Sequence, residues 1–450
     1  MLLSSLGTSV ANVALPTLAQ AFTASFQEVQ WVVLAYLLVI TTLIVSVGRL
    51  GDLIGRRRLL LAGIFLYTAA SVLCGLAPTL WLLIAARAAQ GLGAAVMMAL
   101  TMAFVGETVA QAKTGNAMGL LGTMSAIGTA LGPSLGGVLI SSSGWPAIFF
   151  INVPLGILTL LLAHRFLPVE RRGRKTHRTG FDHLGTLLLA VTLAAYALAM
   201  TTGRGSFGPL NVVLLVTAAF GVGLFALAES TAAAPLIGLA TFRNPVLSAG
   251  FTMSALVTTV VMATLVVGPF YLSGAFALDA ASVGFVMSAG PVAAALTGVP
   301  AGRMVDRFGA HRMTIAGLIG MAAGASILTV VPTSFGVAGY VAPLVVITTG
   351  YALFQAANNT AVMRNIHPDQ RGVISGILNL SRNLGLITGA SVMGTVFALG
   401  SASADMMAAP PEAVATGMRT TFAVAAVLIV VALAIAIATL RKLGCVQGGQ

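Results

Sequence analysis

Charge is what this chain has least of. Of 450 residues, 8% are Asp, Glu, Lys or Arg and 58% are hydrophobic, and the mean hydropathy is +1.00. A soluble domain carries roughly 25% charged residues. This chain has too few to cover a surface in water, so its solvent is lipid. Cysteine is nearly absent: Cys74 lies inside an apolar run and Cys445 in the tail, with no metal or redox spacing. There is no Gly-x-x-x-x-Gly-Lys-Ser/Thr phosphate loop and no polar segment long enough to hold one, which excludes an ATP-driven pump. No filter-like segment or ring of charge marks a channel. No His, Asp or Cys cluster sits at bilayer depth, so neither an enzyme nor a cofactor is expected.

What the chain does have is long apolar runs. A helical span takes about 20 residues, and runs of that order fall near 1–22, 29–49, 58–77, 80–105, 114–140, 146–166 and 183–202. Seven more fall near 209–229, 246–272, 279–301, 312–331, 338–362, 372–399 and 418–440. The first has no charged lead and reads as a true helix, not a cleaved signal. Fourteen spans put both termini on one side. Nineteen of the 23 Lys and Arg fall in the loops and tail of that side; Arg204 and Arg419 lie opposite, and Arg87 and Arg382 lie inside runs. By the positive-inside rule the rich side, and both termini, are cytoplasmic in an inner or plasma membrane. The formal charge of +12 is thus spread by topology and does not form a nucleic-acid surface.

One short stretch occurs twice. Gly48-Arg49-Leu50-Gly51-Asp52-Leu53-Ile54-Gly55-Arg56-Arg57-Arg58 follows the second run. It returns 254 residues later as Gly302-Arg303-Met304-Val305-Asp306-Arg307-Phe308-Gly309-Ala310-His311-Arg312. The copies are eight spans apart, so two six-helix halves are separated by two inserted helices. The expected organisation is a six-helix bundle over 1–166, a basic linker over 167–182, the inserted helices over 183–229, and a linker over 230–245. A second bundle over 246–440 and a tail over 441–450 complete it. The glycines of the repeated stretch allow a tight turn between two helices. Its aspartate can accept hydrogen bonds from amides at a helix N-terminus, where negative charge is favoured. A charge cluster bridging two bundles would latch one conformational state. Gly48, Arg49, Asp52, Gly55, Arg56, Arg57, Gly302, Asp306 and Gly309 are its candidate residues.

Further signals lie inside the runs. Gly128, Gly132 and Gly136 recur every four residues and so share a helix face that admits a close neighbour; Gly137 adjoins them, and Pro133 can kink the helix. Arg87, a cation at bilayer depth, costs at least about 2.5–3.5 kcal/mol and needs a partner or a cavity. It serves a proton relay or a substrate, or it forms a network with Gln90 that satisfies backbone carbonyls. Arg382 raises the same question in the other half. Asn12, Trp31, Tyr36, Gln355, Asn358 and Asn379 are candidates for a central cavity lining, although amides also serve as plain interhelical contacts.

Together these stretches resemble the major facilitator superfamily, and within it the fourteen-helix drug:proton antiporter family of multidrug-exporter type. Gly48-x-x-x-Asp52-x-x-Gly55-Arg56-Arg57 is similar to the superfamily's signature loop, with Leu53 where a basic residue is usual. Arg87-x-x-Gln90-Gly91-x-Gly93 is similar to its buried-arginine motif, and Gly128-x-x-x-Gly132-Pro133-x-x-Gly136-Gly137 to its exporter motif. Gly144-Trp145 with Phe149-Phe150-Ile151-Asn152-Val153-Pro154-Leu155-Gly156 resembles the opening of the family's sixth helix. The resemblance implies an all-α membrane fold that moves small molecules by alternating access, with protons as the coupling ion and the bilayer and substrate as partners of a monomer. It gives Arg87 a relay or substrate role and makes the glycine face a hinge and seal between the halves.

The pattern breaks in one place. Gly7 stands where family members commonly carry an aspartate, just before Thr8-Ser9-Val10-Ala11-Asn12-Val13-Ala14-Leu15-Pro16. None of the eleven acids lies at mid-membrane, and the five histidines lie in or beside loops. Three readings stay open: Glu28 or Asp52 takes the proton, the substrate carries it, or transport is uncoupled. Loss of the acid favours neutral or anionic over purely cationic substrates. Export of hydrophobic drugs, antibiotics or related metabolites is expected, with metabolite uptake, an uncoupled facilitator or a transporter-like sensor as the alternative.

Overall fold

The computed structural model describes residues 1–450 apart from 25, 111–112, 168–181, 202–207, 233–234, 279, 365, 368–369, 402–409 and 448–450. The basic strip of the first linker falls outside the described residues. In chain order the helices are α1 (Leu2–Ala21), α2 (Phe26–Ile54), α3 (Arg56–Gly75), α4 (Leu80–Thr108), α5 (Thr114–Ser143), α6 (Ala147–Phe150), α7 (Asn152–Phe166) and α8 (His183–Thr201). There follow α9 (Pro209–Thr231), α10 (Pro245–Phe276), α11 (Ala280–Met287), α12 (Ala289–Phe308), α13 (Ala310–Val330), α14 (Gly336–Met363), α15 (Arg371–Gly400) and α16 (Pro411–Gln447). No strand occurs among the described residues.

Each of the fourteen apolar runs coincides with a helix, α6 with α7 and α11 with α12 each making one run in two pieces. Among the described residues twelve helices are long and apolar enough to cross a membrane. A thirteenth, α5, is bent by 40° between Gly132 and Leu135, where Pro133 stands. Backbone groups at bilayer depth need partners within the segment, which is why the spans are helical. Their outer surface is apolar: Phe285 is 82% exposed and Trp81 72%.

The repeated stretch departs from expectation. It is not a loop but a single-residue break in two nearly continuous helices. α2 runs through Ile54, α3 begins at Arg56, and Gly55 between them has φ 108°; α12 runs through Phe308, α13 begins at Ala310, and Gly309 has φ 89°. The charged residues beside each glycine can stay helical because helix ends at a membrane surface are hydrated. Only the glycine has to leave the right-handed region.

One apolar core lies among α10, α13, α14 and α16, and another among α2, α3, α4 and their neighbours. Between the halves, α2 packs on α15 and α5 on α12, with α4 also on α15 and α5 on α14. The hairpin of α8 and α9 docks on this seam, α8 lying against both α2 and α15, where the Tyr196 and Thr388 hydroxyls share a hydrogen bond.

Candidate functional site

The seam is closed at the end bearing the repeated stretches, and each copy closes it in the same way. The Gly372 and Val373 N–H groups, in the first turn of α15, donate to Asp52 Oδ1 and Oδ2 at 3.0 and 3.2 Å. The Gly115 and Asn116 N–H groups, in the first turn of α5, donate to Asp306 Oδ1 and Oδ2 at 2.7 and 2.8 Å. Each aspartate thus caps a helix of the opposite half, where unpaired amides and the helix dipole favour an anion. The backbones come close enough for this because glycine faces glycine. A Cβ on Gly48 would overlap the Gly372 carbonyl oxygen, and one on Gly302 would overlap that of Gly115.

The first copy carries an additional clamp. Arg56 donates from Nε and Nη2 to Asp52 Oδ1 at 3.0 and 2.9 Å, and from Nη1 to Glu107 at 2.6 Å. Asp52 keeps only 2% of its side chain exposed. Arg57 donates to the His164 carbonyl at 2.7 Å, tying α3 to the end of α7. Arg49 lies at the end of α2 beside Gly48.

The α5 glycine face divides its work. Gly128 and Gly132 meet α1 of the same half, at Leu2 and Ser9, and do not meet the other half. A Cβ on the exposed Gly137 would touch nothing within 4 Å, whereas Gly136 is buried. The contact between halves is made earlier in α5, by Gly115 and Gly119 against Gly302 and Gly298 of α12. Sequence reasoning passed over these, yet Gly115-x-x-x-Gly119 and Gly298-x-x-x-Gly302 are small-residue pairs of the kind that lets helices cross closely.

Arg87 is 0% exposed. Its Nε donates to the Val32 carbonyl at 2.9 Å and its Nη1 to the Gly7 carbonyl at 3.3 Å and to Gln90 Oε1 at 2.5 Å. The guanidinium carbon lies 4.2 Å from the Tyr36 ring centroid, and Nη2 is buried without a partner. Gln90 donates onward to Ser71 at 2.7 Å. The arginine therefore joins α1, α2 and α4, and no surface of it opens to a cavity in this state. Gly7, in place of an acid, contributes its carbonyl to the same cation.

The other polar candidates separate by exposure. Tyr36 is buried, its hydroxyl donating to the Ser4 carbonyl at 3.0 Å. Asn358 is buried and donates to Gly250 O and Ser254 Oγ at 3.1 and 2.8 Å, binding α14 to α10. Asn379 is buried and donates to Ser375 O at 2.9 Å. Trp31 is 36% exposed, and Glu28 is exposed in the first turn of α2. The side chain of Asn12 lies outside the described residues. Arg382 is only partly buried and faces Gln355: the near atom of the Gln355 amide lies 2.5 and 3.1 Å from its Nη2 and Nη1, which requires the amide oxygen to point at the guanidinium. The Tyr351 hydroxyl is 3.4 Å from that same atom. Gln355 stands opposite Gly122 of α5, so this group sits where the halves face one another. Among the described residues no cluster of three His, Cys, Asp or Glu could hold a metal.

Comparison with known proteins agrees with this architecture. The profile of the Major Facilitator Superfamily matches residues 1–390 and, in a second match, 251–443. The riboflavin transporter RibZ of Clostridioides difficile is 31% identical over 396 residues, covering 88% of this chain and 86% of that protein. The multidrug resistance protein Stp of Mycobacterium tuberculosis H37Rv is 32% identical over 400 residues, covering 86% of this chain and 72% of that protein. Among solved structures, the human organic anion transporter MFSD10 superposes with a TM-score of 0.67 at 16% identity, covering 97% of each chain. The chain belongs to the Major Facilitator Superfamily, a family of membrane transporters, and its relatives there include the multidrug efflux pump LfrA of Mycolicibacterium smegmatis.

Proposed function

We propose that this protein is a secondary active exporter of hydrophobic small molecules, driven by proton exchange, that works by alternating access between two six-helix bundles. The observation that carries this reading is the reciprocal cap, Asp52 on α15 and Asp306 on α5. Bundles that rock apart at this end must break four amide-to-carboxylate hydrogen bonds. Each is worth roughly 1.5–3 kcal/mol net for a charged acceptor, enough together for a latch. With the charge-rich end cytoplasmic, the state described is sealed toward the cytoplasm.

Arg382 is the half-exposed cation between the halves, and no acid stands in the first helix. This combination favours neutral or anionic substrates over lipophilic cations, and it keeps metabolite uptake or uncoupled transport on the same fold as the second reading. The named activity of RibZ, riboflavin transport, fits that second reading as well as Stp fits the first.

Inverted vesicles holding a pH gradient discriminate between them. A panel of lipophilic cations, neutral antibiotics and organic anions is added, and proton efflux is read by fluorescence. Substrate-triggered proton movement, abolished in Asp52→Asn/Asp306→Asn, supports antiport. Movement of labelled compounds without proton flux would replace the antiporter by a facilitator.

A further inference from the structure

The inserted hairpin carries two acids that neither the latch nor the substrate region uses. Asp182 precedes α8, Glu229 stands near the end of α9, and both lie at the end of the molecule that carries the repeated stretches. Gly185 lets them meet. A Cβ built there would lie 2.5 Å from Asp182 Oδ2 and 2.5 Å from Glu229 Oε1, so the two oxygens are within twice that distance of each other. One oxygen of each acid is satisfied: Gly185 N–H donates to Asp182 Oδ1 at 2.7 Å, and Ile237 N–H donates to Glu229 Oε2 at 3.2 Å. Glu229 is 4% exposed. The remaining oxygens, the two that flank Gly185, are both buried without a hydrogen-bond partner.

Two ionised carboxylates placed this way would leave two anionic oxygens unsolvated and repelling each other. A single proton resolves both problems, because the protonated acid donates and the ionised one accepts. We propose that Asp182 and Glu229 form a proton-binding site, taking one proton from water and holding it between them. The charged neighbours are few. Arg49 of α2 reaches Glu229 with its field, and His183 adjoins Asp182 at the start of α8; both make other interactions.

The position gives the site a role. α8 packs on α2 and α15, the two helices of the seam, and Arg49 adjoins Gly48, the residue that meets Gly372. Opening the seam changes the distance from Arg49 to Glu229, so proton occupancy and seam state are linked. A titrating site that mid-membrane positions lack is thereby supplied by the two extra helices. The link to the seam rests on the alternating-access reading; the proton site itself does not.

Infrared spectroscopy of the purified full-length protein in lipid nanodiscs tests the site without any substrate. At pH 7 the wild type is expected to show a protonated-carboxyl stretch that shifts in D2O. That band is lost in Glu229→Gln and equally in Asp182→Asn, and weakened in Gly185→Ala, which wedges the oxygens apart. A wild-type spectrum indistinguishable from both variants would overturn the site, as would displacement of the band by sodium alone, which would make it a cation site. The link to the seam is read by thiol labelling of Ser375→Cys, buried against α4, in a Cys445→Ser background. Labelling, expressed relative to the same protein unfolded in SDS at each pH so that the rise of thiolate with pH cancels, is expected to change at least fivefold between pH 5.5 and 8.5 and to become flat in Glu229→Gln. A flat profile with the pair intact overturns the link and leaves the infrared result standing.

Discussion

Arg56 holds Asp52 through two hydrogen bonds of 2.9 and 3.0 Å, whereas the position equivalent to Arg56 beside Asp306 is Ala310. The two contacts therefore share their helix caps and differ in their counterion. Asp52 lies against a buried cation that also binds Glu107; Asp306 relies on the two amides of α5. Closure is symmetric in geometry and asymmetric in charge.

The first consequence concerns the aspartates. Asp52→Asn leaves Arg56 facing a neutral amide at a nearly buried position, so it is expected to open the seam more than Asp306→Asn does. Removing one partner of a charged, buried contact costs more than removing a neutral one. Rates of thiol labelling at Ser375→Cys are expected to rise about tenfold or more in the first variant, corresponding to about 1.4 kcal/mol, and less in the second. Equal rates in both would remove the asymmetry.

Glycine crossings supply a second test. Gly48→Ala and Gly302→Ala each drive a methyl group into a backbone carbonyl of the opposite half. Backbone cannot swing aside as a side chain does, so the sealed state is expected to be lost and transport to fall at least tenfold with the protein still inserted. Gly137→Ala meets nothing and serves as the control, with transport and thermal midpoint unchanged. Wild-type transport in Gly48→Ala would show that the closure described is not an obligatory state.

Arg87 separates stability from transport. It holds α1, α2 and α4 together through Gly7, Val32 and Gln90. Arg87→Ala is expected to destabilise the N-terminal bundle by roughly 1.5–3 kcal/mol, the scale of a hydrogen bond to a charged group, because the full loss of three such bonds is offset by no longer burying a cation. Arg87→Lys is expected to rescue little, because one ammonium cannot reproduce the planar fork that reaches these groups. Thermal unfolding in detergent measures this. An unchanged midpoint with lost transport would instead assign the arginine to the transport cycle alone.

Arg382 is where the proposed charge preference can be tested. Arg382→Gln is expected to reduce uptake of organic anions into inverted vesicles at least tenfold and to leave neutral compounds within about twofold, since a lone cation acts on charge more than on shape. Equal loss for both classes would make Arg382 a support for Gln355 and not a substrate contact.

Much of this protein was legible before any fold was known. The apolar runs and the near absence of charge mark the spans, because lipid imposes a single strong rule on each segment independently. The paired stretches 254 residues apart disclose two related halves for the same reason: repetition survives in a linear string. What the aspartates do was legible in kind, as anions suited to helix N-termini, but not which termini they reach. That depends on α2 crossing α15 and α5 crossing α12, contacts between residues 190 to 321 positions apart. The same limit hid the division of the α5 glycines between α1 and α12, since periodicity names a face but not its neighbour. It also hid the closure of Arg87 from solvent, where burial is set by three helices at once. Asp182 and Glu229 are 47 residues apart in the sequence and become a pair only because Gly185 leaves room between two packed helices. The sequence by itself determined the solvent, the repeat and the chemistry of each side chain; the tertiary structure decided which of those side chains meet, because distance in space is a property of the packing and not of the order of residues.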